Sequence, residues 1–442
     1  MAFLLITFAP MISIETLYGI YLKHPEICTD SRRLRAGDLF FALKGENFNG
    51  NLFAARAIEQ GAAYAIVDEE PEHPDERIIQ VPDALKALQS LAGHHRNQFS
   101  IPFIAITGSN GKTTTKELIH AVLSTTYRTY TTEGNLNNHI GIPLTLLKIK
   151  PDAQMAIVEM GANHLREIAG YCEYARPTHG IITNCGKAHL EGFGSIEGVR
   201  KGKGELYDWL RSQGGTAFVM WDYDYLREMS KGISEIVSYG TADASVNGIA
   251  DSGSGDKTHL RVKFTYGINI DFIQTQLTGI YNLPNVLAAV TVGNFFKTEP
   301  IKIKAGIEGY QPGNSRSQLL KMESNTIVLD AYNANPSSMK AAIENFAGFP
   351  GKEKVLVLGG MAELGAASLT EHNDILKLIA AHPWKEVLLV GGDFLKLDHP
   401  YHRFETAVAA GSWLKSRHFK NTSLLVKGSR SMGMEKVLAD GL

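Results

Sequence analysis

From Ile12 onward the chain alternates short apolar runs with polar turns and stretches of helical period, the rhythm of strands covered by helices. Between Ile12 and about Asn97, Asp38-Leu39-Phe40-Phe41-Ala42-Leu43 reads as a strand and Phe53 to Gln60 as a helix, giving a small α/β unit. The signal sharpens at Ile101-Pro102-Phe103-Ile104-Ala105-Ile106-Thr107, a buried-strand run that breaks into glycine and then into a helix from about Lys112. Further apolar runs at Met155 to Met160 and His179 to Cys185 end in polar or glycine residues, where the carboxyl ends of parallel strands present ligand sites. Pro312-Gly313-Asn314-Ser315 interrupts the pattern as a hinge or linker. Beyond it, Thr326 to Leu329, Lys354 to Leu358, Glu386 to Val390 and Ser423 to Val426 alternate with helical stretches, again the sign of a parallel sheet covered on both faces. The expected organisation is three α/β domains, at residues 1–97, 98–312 and 313–442, in line with a prior of roughly one domain per 150 residues.

Composition narrows the function classes. With 44% hydrophobic and 20% charged residues the chain has too many apolar side chains for disorder. Lys and Arg total 44 against 46 Asp and Glu, so no global field draws in nucleic acid or anionic membrane, and an anionic ligand must be held locally. The three cysteines, Cys28, Cys172 and Cys185, lack the paired spacing of a zinc site or disulfide framework and fit a reducing, cytoplasmic compartment. No apolar run approaches the ~20 residues that span a bilayer. The leader Met1 to Pro10 resembles part of a signal-peptide core but lacks a basic start and a small-residue cleavage site. With Met11 just before Ile12-Ser13-Ile14, it reads as an upstream start or loose extension.

The chemistry is anchored by Thr107-Gly108-Ser109-Asn110-Gly111-Lys112-Thr113-Thr114. A strand that opens through Gly108 and Gly111 into a helix exposes backbone N–H groups at a positive helix end, suited to a triphosphate. Lys112 reaches the outer phosphates, and Thr113 or Thr114 offers a hydroxyl to Mg²⁺. The strict phosphate-loop pattern is not met, because Ile106 stands where it requires its first glycine. Glu159, closing Ala156-Ile157-Val158-Glu159-Met160-Gly161, reads as a metal ligand, with a solvent-facing strand end as the alternative. His189 follows the next strand in Asn184-Cys185-Gly186-Lys187-Ala188-His189-Leu190; alone, a histidine there reads as structural.

From about Met11 to its end the chain resembles the Mur ligases. The resemblance rests on Thr29-Asp30-Ser31-Arg32, the phosphate loop, Asn137-Asn138-His139-Ile140-Gly141-Ile142-Pro143, Glu159-Met160-Gly161 and Asn184 to His189. In the third segment it rests on Asp330-Ala331-Tyr332-Asn333-Ala334-Asn335-Pro336 and Leu358-Gly359-Gly360-Met361-Ala362-Glu363-Leu364-Gly365. The Tyr-Asn-Ala-Asn-Pro string points to the branch that joins D-alanyl-D-alanine to UDP-N-acetylmuramoyl-tripeptide for peptidoglycan. What the resemblance implies is a small N-terminal α/β domain for the uridine nucleotide, a central P-loop-type parallel-sheet ATPase domain and a C-terminal Rossmann-like α/β domain. It implies ATP and Mg²⁺ as cofactors, the tripeptide nucleotide and D-alanyl-D-alanine as partners, no nucleic acid, no stable membrane insertion and a monomer.

Carried over by position, the resemblance gives the catalytic set Lys112, Glu159, His189 and Lys203, with Thr113, Glu159, His189 and Lys203 around Mg²⁺. Lys203, in Gly202-Lys203-Gly204-Glu205, matches a family lysine that is carbamylated; an ordinary solvated lysine is the alternative. A carbamate turns a cation into the oxygen ligand that Mg²⁺ prefers. Nucleotide contacts are implied for Gly108, Ser109, Asn110, Gly111, Lys112, Thr113, Thr114, Asn282, Asn285, Arg316, Asp330, Tyr332 and Asn333. Asn282 and Asn285 lie on the adenine side, with Tyr281 where many relatives have histidine. Arg316 reaches the phosphates and Asp330 the ribose; read without the family, they are a surface charge and a strand-end cap.

Substrate contacts are implied for Ser31, Arg32, Lys44, Gly45 and Asn49 on the uridine nucleotide, with Phe40 either beside them or in the core. Thr131, Asn137 and Asn138 are implied on the substrate side, or form a polar loop before Pro143. Asn335, Lys427, Ser429 and Arg430, with Asn333, close over ATP and the incoming dipeptide. Two rivals share part of this pattern. A sister ligase, adding the preceding diamino acid or adding glutamate to folate, lacks Tyr332 to Pro336. A P-loop nucleotide switch has no use for two further domains with polar strand ends.

Overall fold

A computed structural model of the chain describes residues 12–251, 258–313 and 315–439. The leader Met1 to Pro10 and Asn314 of the linker lie outside the described residues. The described residues divide into two compact units, one made of those up to 103 with 130–160 and 170–176, the other of 104–129, 161–169 and those from 177 onward.

The first unit holds a four-stranded parallel sheet of β1 (Ile27–Cys28), β2 (Leu39–Phe41), β3 (Tyr64–Val67) and β4 (Ile78–Gln80), in that spatial order. The strand expected at Asp38 to Leu43 is β2, and the helix expected from Phe53 runs Ala54–Glu59 after a 3-10 turn. Phe40 is 1% exposed and belongs to the core with Ala57, Ile58 and Val67, which decides its role. The same unit carries the adjacent strands Thr129–Thr131 and Met155–Glu159. All five residues of Met155–Glu159 are buried, as expected for a strand covered on both faces.

In the second unit, β5 (Phe103–Thr107) runs into helix α1 (Lys112–Leu123) through the glycine loop. Then come β6 (His179–Ile182), α2 (Ile196–Gln213), β7 (Thr216–Met220), β8 (Glu235–Gly240), β9 (Val246–Ala250), β10 (Arg261–Tyr266), β11 (Phe272–Gln274) and α3 (Leu283–Phe295). Their spatial order is β11-β10-β9-β8-β7-β6-β5; β5 to β9 are parallel, and β10 and β11 add an antiparallel edge. Helix α3 is apolar all round because it is buried all round. Its Gly293 lets α1 approach, since a Cβ there would stand 2.5 Å from Val122 Cγ1.

Past Pro312-Gly313 a second sheet forms from β12 (Gln318–Met322), β13 (Asn325–Asp330), β14 (Glu353–Gly359), β15 (Glu386–Val390), β16 (His402–Phe404) and β17 (Thr422–Lys427). The order is β12-β13-β17-β14-β15-β16, parallel except for the β12–β13 pair. One face buries Met339, Ile343 and Phe346 of helix α4 (Pro336–Ala347), and the other buries Ala410, Leu414 and Val437. The four apolar runs expected here are β13, β14, β15 and β17; the edge strands β12 and β16 carry no such run, and only their pairing with β13 and β15 distinguishes them from loops. Among the described residues no helix is long and apolar enough to cross a membrane.

His179 opens β6 with its ring 5.0 to 6.1 Å from those of Phe218, Phe295 and Phe296. Burial pushes its pKa down from 6.5 to about 4. Between those values the unfolded chain binds a proton that the folded chain does not, so the stability this group contributes is present above pH 6.5 and is lost as pH falls toward 4. Urea midpoints measured across that window are expected to fall for the wild type and to fall less for His179→Gln; identical slopes would contradict the assignment.

Candidate active site

The phosphate loop owes its shape to two glycines and to a strip of chain beside it. Gly108 has φ +140° and a Cβ there would stand 2.0 Å from Thr183 Oγ1; Gly111 has φ +81° and its Cβ would stand 2.6 Å from Asn285 Oδ1. No other residue type fits either position without displacing its neighbour. The strip after β6 braces the loop. Ser109 N donates to Asn184 O at 2.9 Å, Asn110 N to Asn184 Oδ1 at 3.1 Å, and Thr183 Oγ1 to Asn110 O at 2.6 Å. Ser109 Oγ bridges Gly186, donating to its carbonyl at 2.9 Å and accepting from its N–H at 3.0 Å.

Behind the loop, Thr115 Oγ1 donates to Asn285 Oδ1 at 3.0 Å, Asn285 Nδ2 to Asn282 Oδ1 at 2.9 Å, and Asn282 Nδ2 to Thr278 O at 2.7 Å. Asn282 and Asn285 are thus buried braces of the start of α1. Tyr281 packs under Gly279 and its hydroxyl lies 3.0 Å from Ser317 Oγ. Lys112 Nζ folds onto the loop, donating to Gly108 O at 2.7 Å and Ser109 O at 3.2 Å. The hydroxyl-bearing side chain of Thr113 is in a buried residue, that of Thr114 in a half-buried one.

Lys203, on α2, is 1% exposed and donates to Ala162 O at 2.7 Å. Burial, and next the charge of Lys112, push its pKa down to about 7. The solvated-lysine alternative is excluded by that burial. His189 has a left-handed backbone, φ +53°, and lies after the bracing strip.

The C-terminal segment meets this strip. Asn335 caps α4, accepting from Ser338 N at 2.9 Å, and its Nδ2 donates to Asn110 Oδ1 at 2.8 Å. Lys187 N donates to Ser337 Oγ at 2.9 Å, Lys187 Nζ pairs with Glu371 at 2.6 Å, and His189 Nδ1 lies 2.5 Å from Glu363 Oε2. Contact with His189 lowers the Glu363 carboxyl below its ordinary range. No spacing along the chain singles out Glu371 or Ser337, and Glu363 is marked only by its place in the Gly-Gly-Met-Ala-Glu-Leu-Gly string.

Asp330, the last residue of β13, accepts from Ser317 N at 3.1 Å and from the buried Lys427 Nζ at 2.6 Å. Lys427 also donates to Asn333 O at 3.2 Å, and Asn333 Oδ1 accepts from Arg430 N at 3.3 Å. The Arg316 guanidinium stacks 3.6 Å from the Tyr332 ring centroid, and that of Arg430 lies 5.5 Å from it. Ser429, 1% exposed, has its hydroxyl 3.1 Å from that of Ser431. Arg316, Asp330, Tyr332, Asn333, Lys427 and Arg430 therefore form one group.

In the first unit, Glu159 ends its strand 1% exposed, accepting from Asn137 Nδ2 at 2.7 Å while its N–H donates to Thr132 Oγ1 at 2.9 Å. It does not face solvent. Asn138 Oδ1 accepts from Gly141 N at 2.9 Å at the start of a helix, and Thr131 Oγ1 is buried with no hydrogen-bond partner among the described residues. Arg32 pairs with Asp30 at 2.8 Å on the surface beside Ser31, and Lys44, next to Gly45, pairs with Asp68 and Glu69 at 2.9 Å. Asn49 caps the turn that follows, accepting from Asn51 N at 3.0 Å. Among the described residues no three His, Cys, Asp or Glu side chains gather as a metal site.

Three family models match the chain: Mur ligase family, catalytic domain, at residues 25–96; Mur ligase middle domain at 106–293; and Mur ligase, glutamate ligase domain, at 315–430. The chain is 35% identical to the UDP-N-acetylmuramoyl-tripeptide–D-alanyl-D-alanine ligase of Bacillus subtilis, over 94% of this chain and 92% of that one. It is 35% identical to the ligase of the same name from Escherichia coli, over 96% and 94%. A crystal structure of MurF from Acinetobacter baumannii superposes with a TM-score of 0.86 at 32% identity, covering 94% of this chain and 92% of that one. MurF ligase from Thermotoga maritima in complex with ADP superposes with a TM-score of 0.85 at 25% identity, covering 95% and 97%.

Gly111→Ala is expected to lower the unfolding free energy by about 1 kcal/mol or more, because the new Cβ meets Asn285 in a left-handed backbone. Gly313→Ala, with nothing within 4 Å, is expected to change it by less than about 0.5 kcal/mol. Equal effects in urea titrations would contradict the close-approach argument.

Proposed function

Because the chain belongs to the Mur ligase family, we propose that it is an ATP-dependent ligase joining D-alanyl-D-alanine to UDP-N-acetylmuramoyl-tripeptide through an acyl phosphate. The observation that carries this reading is 35% identity, spanning 94% of the chain, to a ligase named for that reaction.

A carboxylate is a poor acyl donor, since its charge repels a nucleophile and its oxygen leaves badly. In the proposed reaction a carboxylate oxygen of the tripeptide attacks the γ phosphorus of ATP and ADP leaves. The amine of D-alanyl-D-alanine then attacks the acyl carbon, phosphate leaves, and the nitrogen gives up a proton. The backbone N–H groups at the start of α1 hold the phosphates, in a cradle that a Cβ at Gly108 or Gly111 would fill. Lys112 exchanges its two loop carbonyls for the β and γ phosphates and neutralises charge as it builds. Arg316, stacked on Tyr332, keeps its N–H edge for phosphate oxygens, and Asp330 and Asn333 take the ribose side. The buried Asn282 and Asn285 hold the loop from behind, on the adenine side. Asn335, Lys427, Ser429 and Arg430 are assigned to closing over ATP and the dipeptide, Asn335 through Asn110 of the loop and Lys427 through Asp330.

Thr113, His189 and a carbamylated Lys203 offer the oxygen and nitrogen donors of a Mg²⁺ site, and the bound ion supplies charge screening along the phosphates. Lys203 suits that modification: burial lowers its pKa and so favours the neutral amine, which adds to CO₂ with loss of one proton. With ¹³C-bicarbonate, a carbamate carbonyl resonance is expected in the wild type and not in Lys203→Arg; its absence from both removes the carbamate from the account.

Phosphate release is expected to require ATP, the tripeptide nucleotide and D-alanyl-D-alanine together, and to fall about 10²-fold or more in Lys112→Ala. Release that proceeds equally without the dipeptide would overturn the ligase reading.

A further inference from the structure

His189 and Glu363 meet from two segments of the second unit, and both hold a backbone conformation that side chains other than glycine seldom adopt, φ +53° and +61°. The imidazole Nδ1 is 2.5 Å from Glu363 Oε2. A second tie parallels the first, since Glu191 N donates to Glu363 O at 3.2 Å. Gly365 closes the contact, with its Cβ position 3.4 Å from Glu191 Cβ.

The arm that carries Glu363 is itself braced. Met361 N donates to His372 Nε2 at 3.0 Å, and His372 Nδ1 lies 2.7 Å from Ser368 O, so this buried ring is neutral and carries its proton on Nδ1. Glu371, next to His372, pairs with Lys187 at 2.6 Å, two residues before His189. The C-terminal segment thus holds the His189 loop at Ser337, Glu371 and Glu363 in turn.

We propose that Glu363 is a positioning residue for His189, engaging the Nδ1 edge so that Nε2 is the nitrogen left for a ligand, and that docking of residues 361–365 thereby sets the orientation of His189. An imidazole has two ring nitrogens, and a carboxylate held against one favours the ring orientation that turns the other outward; here the contact is an ion-pair approach at 2.5 Å rather than an aligned hydrogen bond. The contact spans two segments separated by the Pro312-Gly313 linker, so it forms only when the C-terminal segment lies against the strip after β6. This inference rests on the proposed Mg²⁺ and nucleotide reading.

The test is calorimetric ADP binding to the full chain with and without Mg²⁺. Glu363→Gly removes the carboxylate and suits the positive φ, so folding is not threatened. The gain in ADP affinity on adding Mg²⁺ is expected to fall about tenfold in Glu363→Gly. Glu363→Gln, which keeps an acceptor, is expected to recover much of it. ADP affinity without Mg²⁺ and the thermal midpoint are expected to stay at wild-type values. In a His189→Ala background, Glu363→Gly is expected to cause no further loss. A wild-type gain retained in Glu363→Gly, or an equal drop with and without His189, overturns the inference and leaves the ligase reading standing. A wild type whose ADP affinity does not respond to Mg²⁺ overturns the metal reading and the inference with it.

Discussion

The brace between the phosphate loop and residues 183–186 is the constraint on which the rest of the site depends. A loop that exposes its N–H groups to an anion cannot satisfy them internally, so its shape must be held from outside. Thr183, Asn184 and Gly186 do this by bonding the backbone of Ser109 and Asn110 and the hydroxyl of Ser109. The same stretch then continues through Lys187 and His189, which reach Glu371 and Glu363 of the C-terminal segment. One short strip therefore shapes the phosphate loop on one side and receives the C-terminal segment on the other.

That arrangement explains why a ligase reading needs more than a phosphate loop. An activated acyl group is hydrolysed by water, so activation is productive only when the acceptor-side residues are already in place. On the proposed reading, Asn335 touching Asn110 and Glu363 touching His189 hold the C-terminal segment's groups at the loop. The group around Tyr332 adds cations close to that junction without an acidic partner for Arg316 among the described residues.

Much of the fold was legible in the chain. The all-buried strand β5 reads as an almost uninterrupted apolar run and β17 as a Leu-Leu-Val centre flanked by polar residues, and the glycine loop reads as a strand-to-helix turn, because these signals are local. The strands β10, β11 and β12 were not legible, since exposed antiparallel edges carry a mixed pattern and are defined by their partners. Among site residues, Gly108, Gly111 and Lys112 followed from the loop itself and Glu159 from its place at the end of an apolar run, whereas His189, Lys203 and Asp330 took their roles from the family resemblance. Burial, which no spacing reveals, moved Lys203 away from a solvated lysine and turned Asn282 and Asn285 into braces. Glu363 escaped notice because its partner lies in a different segment, and only the folded chain brings the two together.

The central claim is that this chain activates a carboxylate by phosphorylating it. Tripeptide nucleotide labelled with ¹⁸O in its terminal carboxylate tests that claim most directly, because an acyl phosphate hands one carboxylate oxygen to the departing phosphate. Mass spectrometry of the phosphate released during turnover with ATP and D-alanyl-D-alanine is expected to find one ¹⁸O in each molecule. Phosphate released without the label would contradict the account.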